Sequence, residues 1–194
     1  MSKKISVVGV DPSMSNFGLA VGTLDLETDE LEILGLTLVE TKAGSNKKTV
    51  RVNSDDLRRA SEIWRVAKPI IDKANMVFCE LPVGSQNSRS QTSYGICIGV
   101  LACVDKPLIQ VTPNEIKHFV GNKLTTSKEE IIQWATKKHP KAPWLRRKQS
   151  GQDVLVNKTN IWLMRWLPSI PVCKQISSAR CAMFLSLSFD FIDR

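Results

Sequence analysis

The chain alternates short β-branched runs with amphipathic stretches, and two of the runs end alike. Ile5-Ser-Val-Val-Gly-Val-Asp11 is apolar up to a carboxylate and breaks at Pro12-Ser13. A β-branched run bounded by turn formers reads as a buried strand. Gly18 to Gly22 reads as the strand folding back beside it, and Leu31 to Val39 alternates well enough to be a third antiparallel strand. Thr41 to Lys48 is a polar, basic connector. Ser54-Asp55-Asp56 then caps a helix with Leu57, Ala60, Ile63, Trp64, Ala67 and Ile71 on its apolar face.

Met76-Val-Phe-Cys-Glu80 is a second short apolar run that ends in an acid. Gly84 to Ser93 reads as a flexible polar loop, and Tyr94 to Val104, nearly all apolar, as a buried helix packed closely through Gly95 and Gly99. Pro107 to Val111 is a further strand. Thr112-Pro-Asn-Glu115 has the form of a capping box, opening a helix that carries Ile116, Lys117, Phe119 and Val120 and stops at Gly121. Ser127 starts another helix, with Ile131, Ile132, Trp134 and Ala135 inward, Lys128, Lys137 and Lys138 outward, and His139-Pro140 at its end. Three strands followed by alternating helices and strands predict an α/β fold, a mixed five-stranded sheet with helices on its faces. No internal repeat is visible.

The strand ends carry the candidate chemistry. Asp11 alone, ahead of Pro-Ser, reads as a turn residue. Glu80 changes that: two neighbouring strands each delivering a carboxylate would make a hard, oxygen-rich site suited to Mg²⁺ or Mn²⁺. Composition adds a partner. Lys and Arg number 27 against 19 Asp and Glu, a formal charge of +8 and a pI of about 9.4, which favours a polyanion, nucleic acid before membrane surface.

The five cysteines lack paired spacing, and Cys79, Cys97 and Cys103 lie in apolar runs, as in a reduced, cytoplasmic protein. With two histidines and no Cys-x-x-Cys, a structural zinc site is not expected. Neither a signal peptide nor a bilayer-spanning stretch is expected. At 194 residues the chain is long enough to bury one core, and 1–156 reads as a single domain.

Taken in order, Val-Gly-Val-Asp11-Pro-Ser, Phe-Cys-Glu80, and Val111-Thr-Pro-Asn-Glu-Ile-Lys117 followed by Lys128 resemble a RuvC-type resolvase of the ribonuclease H-like superfamily. The likeness covers roughly residues 5 to 140. It implies a metal-dependent endonuclease that cuts four-way or otherwise branched DNA, usually as a homodimer, in a bacterial or phage-infected cell. Asp11 and Glu80 match its first two acidic positions. Lys117 and Lys128 match basic positions near the cleaved phosphate, and the segment from Ser85 to Ser93 matches the part that approaches the junction. On this likeness the DNA contacts would come from Ser13, Arg89, Lys117, Lys123 and Lys128; Lys123 and Lys128 also read as an ordinary solvated helix start. Two metal ions about 4 Å apart would activate water and stabilise the leaving 3′ oxygen.

Sugar kinases and actin-like ATPases also open on Gly-x-Asp, but a second glycine-rich phosphate motif is not evident here and no nucleotide cofactor is expected. A third reading keeps the fold and the DNA but not the cutting: a catalytically impaired branched-DNA binder.

The C-terminal part departs from the resemblance. A final helix should bring Asp or His followed three residues later by Asp, yet no acid occurs between Asp153 and Asp190, and the segment after Val156 holds two prolines without a steady period. Residues 157–194 read as an atypical tail; a base lost near Lys158 would account for it, and the alternative is a divergent natural terminus in which Asp153 or Asp190 fills the acidic place. In the alternative frame each codon joins the last base of one present codon to the first two of the next. Trp162 and Met164 each have one codon ending in G, so with Leu163 and Arg165 in their four-codon boxes both junctions give Ala, Trp166-Leu167 gives a third, and the Asn160-Ile161 junction allows only His or Tyr. One permitted translation is N-K-N-E-H-L-A-D-A-V-A-A-I, a good helix former with His and Asp one turn apart on one side.

Overall fold

A computed structural model of the protein describes residues 4–44, 51–81, 84, 86–112, 125–149 and 152–155. The elements run β1 (Lys4–Asp11), β2 (Asn16–Asp25), β3 (Leu31–Glu40), α1 (Val52–Ile71), β4 (Met76–Glu80), α2 (Ser88–Ala102), β5 (Leu108–Val111), α3 (Lys128–Lys138), β6 (Arg146–Gln149) and β7 (Gln152–Leu155). The first five strands form one sheet in the order β3-β2-β1-β4-β5. β1, β2 and β3 are the antiparallel meander the sequence predicts, while β4 and β5 join in parallel. Parallel neighbours need a crossover, and α1 and α2 supply the two.

Strand alternation divides the core. Val8, Val10, Phe17, Leu19, Val77 and Cys79 point to one face, where Ile63, Ala67 and Ile71 of α1 and Cys97 and Leu101 of α2 cover them. Val7, Leu24, Met76 and Phe78 point to the other face, with Leu31, Ile33 and the half-buried Ile109 and Trp144. Trp144 also packs with Ile132 and Ala135 of α3, so that helix lies on the second side. Phe78 is 1 % exposed in the middle of the sheet. Its replacement by Ala is expected to cost about 3–5 kcal/mol, read as a lowered urea midpoint.

One irregularity has a clear cause. The β2–β3 register shifts between Val21 and Gly22, and a Cβ on Gly22 would come within 2.8 Å of the Glu32 carbonyl oxygen. Only glycine fits that bulge.

Several expectations are corrected. Helix α1 starts before Ser54: Arg51 is its N-cap and makes no side-chain capping bond. Its buried residues are Asp55, Asp56, Arg59, Ile63, Ala67 and Ile71, so Leu57 falls outside them and is 69 % exposed. Helix α2 begins at Ser88, capped by the Asn87 side chain, which accepts from the Arg89 and Ser90 amides. The second half of the predicted loop is therefore helical.

Cys97 and Leu101, four apart, are the buried residues of α2. A Cβ on Gly95 or Gly99 would meet nothing within 4 Å, so those glycines do not mediate close packing. Cys103 is exposed rather than in the core.

Helix α3 follows its predicted form, with a reciprocal capping box between Ser127 and Glu130. The β6–β7 hairpin was not foreseen, because its first strand, Arg146-Arg-Lys-Gln149, has no apolar alternation. The helix expected after Thr112, with Lys117, and the atypical segment 157–194 lie outside the described residues.

Candidate functional site

Asp11 and Glu80 are the last residues of β1 and β4. The parallel register pairs Val7 with Met76 and Val10 with Cys79, so continuing it by one residue sets Asp11 beside Glu80. Neighbouring strands lie about 4.8 Å apart. Side chains alternate along a strand, and Asp11 is four residues past Val7 while Glu80 is two past Phe78; both carboxylates therefore leave the sheet on the face that carries Val7 and Phe78. On its other side Asp11 pairs with Gly18, which brings no side chain. Both acids are half-buried at the sheet's edge.

The donor set fits a hard divalent cation. Cys79 faces away from Glu80, into the cluster under α1 and α2, which leaves carboxylate oxygen as the donor from β1 and β4 at that edge. Among the described residues no group of three or more His, Cys, Asp and Glu is placed to hold a metal.

The charge of Asp11 reaches both core thiols. Burial, followed by that charge, pushes the Cys97 thiol up to about 12. Cys79 is raised further, by burial first and then by Asp11 and Glu80. Alkylation of the native protein at pH 8, followed by peptide mass spectrometry, is expected to label Cys103 within minutes and to spare Cys79 and Cys97 until the chain is unfolded.

Below the acidic edge, the first half of α1 carries a polar layer. Asp55 accepts from Arg58 at 2.6 Å and from the Gly44 amide at 3.1 Å. Asp56 accepts from both terminal nitrogens of Arg89, at 2.5 and 2.6 Å. Arg58 and the Gly44 amide hold the Asp55 carboxyl below its ordinary value of 3.8, and Arg89 does the same for Asp56.

Depressed carboxyls contribute stability that is present above their unfolded pKa and lost as pH falls through the folded one. The urea midpoint is therefore expected to drop below about pH 4, less steeply in Asp56→Asn.

The sequence-predicted DNA contacts fare unequally. Ser13 is half-buried in the turn after Asp11, its hydroxyl accepting from the Ser15 amide at 3.4 Å. The Arg89 side chain is 45 % exposed, but its guanidinium fork grips Asp56. Lys128 is the first residue of α3, and Lys117 and Lys123 lie outside the described residues.

Sequence reasoning missed Asp56 and Arg59 by treating the acids as a helix start. A signal existed: stepping back from Ile63 by four and by seven residues places Arg59 and Asp56 on the buried stripe. Arg59, Arg89, Lys42, Thr41, Ser15 and Ser93 line a cavity of about 550 Å³ next to this layer, together with Glu40, Asn16 and Ala43.

No known family model and no curated protein sequence matches the chain. Solved structures do. RuvC of Thermus thermophilus in complex with a Holliday junction substrate aligns with a TM-score of 0.61 at 14 % identity, covering 90 % of this chain and 97 % of that one. A second Thermus thermophilus RuvC structure gives 0.61 at 15 %, over 90 % and 98 %.

The fold is RuvC-like. The described five-stranded mixed sheet and its helices agree with the ribonuclease H-like sheet expected from the sequence. The Fowlpox virus resolvase, solved with Holliday junction DNA, aligns at a TM-score of 0.42 and 14 % identity over 69 % of this chain and 77 % of that one. Within the RuvC-like sheet, Asp11 and Glu80 stand on adjacent central strands, β1 and β4. No helix among the described residues is long and apolar enough to cross a membrane.

Proposed function

We propose that this protein is a divalent-metal-dependent nuclease that resolves four-way DNA junctions. One observation carries the reading: two carboxylates in adjacent register, on one face, at the ends of parallel β1 and β4 of a RuvC-like sheet. Asp11 and Glu80 would hold Mg²⁺ or Mn²⁺, which supplies a polarised phosphoryl oxygen and a more acidic water. The carboxylates fix the site at the sheet edge and accept hydrogen bonds from water there, orienting it toward a phosphodiester. A net charge of +8 draws the DNA in.

Lys117, Lys123, Lys128, Ser13 and Arg89 are the proposed backbone contacts, with Arg89 reaching DNA only by sharing its fork with Asp56. One chain brings one acidic pair, and a four-way junction asks for two symmetric cuts, so a homodimer in the cytoplasm is the proposed working form.

The test is cleavage of a synthetic four-way junction against a linear duplex of the same sequence, with Mg²⁺, Mn²⁺ or chelator. Metal-dependent, junction-selective nicking is expected. Equal cutting of duplex, or cutting unaffected by chelator, would sink the proposal.

The absence of any acid between Asp153 and Asp190 favours a second reading for this polypeptide, a junction binder that cuts poorly. It predicts binding that weakens steeply with salt and ignores chelation, with no product at any metal concentration.

A further inference from the structure

The acidic pair sits where two strands run out, so its spacing depends on the elements that come next: the turn behind Asp11, and α2, the helix that follows β4. Both are tied to one place on α1. Arg59, 4 % exposed, donates from Nη2 to the Met14 carbonyl at 2.9 Å and to Ser15 Oγ at 3.1 Å. Its Nε donates to Thr41 Oγ1 at 2.9 Å, and that hydroxyl donates in turn to the same Met14 carbonyl. Asp56, one helical turn earlier and also 4 % exposed, lies 3.9 Å from Arg59 Nη1 and accepts both Nη groups of Arg89, the second residue of α2. Two buried opposite charges on one helix thus each grip a different segment.

Packing alone does not call for them. A pair of apolar residues of similar volume would seat α1 on the sheet at less desolvation cost. What an apolar pair lacks is direction: a planar fork fixes the Met14 carbonyl and the Ser15 hydroxyl in angle as well as distance, and a carboxylate does the same for the Arg89 guanidinium.

We propose that Asp56 and Arg59 are positioning residues that set the separation of Asp11 and Glu80 from behind, an inference that rests on reading those two acids as metal ligands. The pair acts as a common anchor. Movement of the Ser13–Ser15 turn or of the α2 start would be felt at the strand ends, and α1 holds both.

The experiment is Mn²⁺ titration of the full-length chain, followed by the electron paramagnetic resonance signal of free Mn²⁺, with thermal unfolding measured on the same samples. The parent, Asp56→Asn, Arg59→Lys, Asp11→Asn and the core variant Ile63→Val are compared. Asp56→Asn and Arg59→Lys are expected to weaken Mn²⁺ binding by about tenfold, in the range that outer partners of a metal site contribute. Ile63→Val lowers the unfolding temperature and is expected to leave Mn²⁺ affinity unchanged.

If affinity merely follows unfolding temperature across all variants, or if both α1 variants bind as the parent does, the positioning role is overturned while the metal site stands. A parent chain that binds no Mn²⁺, or an Asp11→Asn protein that binds it equally well, overturns the metal site and this inference with it.

Discussion

Asp11→Asn and Glu80→Gln proteins are expected to bind a four-way junction as tightly as the parent and to cut it roughly 10³-fold more slowly. The magnitude follows from the several kcal/mol of transition-state stabilisation a bound metal provides, at 1.36 kcal/mol per factor of ten. Both replacements preserve volume, so the sheet edge keeps its packing. They also remove one of two like charges that the β1–β4 register sets side by side.

In chelator, each variant is therefore expected to be as stable as the parent or slightly more so, by up to about 1 kcal/mol, read from thermal unfolding. Added Mn²⁺ reverses the order, because it stabilises only the protein that binds it. Single-turnover cleavage and thermal unfolding with and without Mn²⁺ check both halves. Variants that cut as fast as the parent would remove Asp11 and Glu80 from the reaction.

Reinserting one base at the Lys158 codon is expected to raise junction cleavage at least a hundredfold, beyond the 10–100-fold that outer-shell partners of a metal contribute. One permitted translation of the re-framed segment, N-K-N-E-H-L-A-D-A-V-A-A-I, would supply the acid that no residue between Asp153 and Asp190 supplies now. It puts His and Asp three residues apart, on one side of a helix.

Two carboxylates leave much of a divalent cation's shell to water; a third protein donor tightens the site and fixes its geometry. Sequencing of the coding region comes first. A frame that is intact, with no helix-forming alternative translation, ends the proposal, and so does a re-framed protein that cuts no faster. The comparison also separates the two functional readings, since a junction binder of the same fold would gain activity only when the third donor returns.

How much was legible can be argued from single elements. The meander and the β4 strand were readable because each is a short, largely apolar run bounded by turn formers, and strand preference is decided within such a run. The start of α3 was readable because Ser127 stands just ahead of apolar residues at helical spacing, and the capping box with Glu130 completes that start. Helix α1 was found but rotated: Asp55 and Asp56 have the residue type of a helix start, and their burial follows from partners at Gly44 and Arg89 that no helical window contains.

Helix α2 was misjudged in the same sense. Its apolar composition implied burial all round, whereas the sheet's flank takes one stripe, Cys97 and Leu101, and leaves Ile98 44 % exposed.

The chain by itself determined that two strands end in carboxylates, because the end of an apolar run is a local fact written in consecutive residues. It determined the basic charge, and the lack of any acid between Asp153 and Asp190, in the same way. Only the tertiary structure decided that β1 and β4 are neighbours in a register that sets Asp11 beside Glu80, and that Arg89 closes on Asp56 from 33 residues away. Strand order, register and long-range ion pairs depend on which surfaces bury one another, and that free energy belongs to contacts between segments rather than to any segment alone.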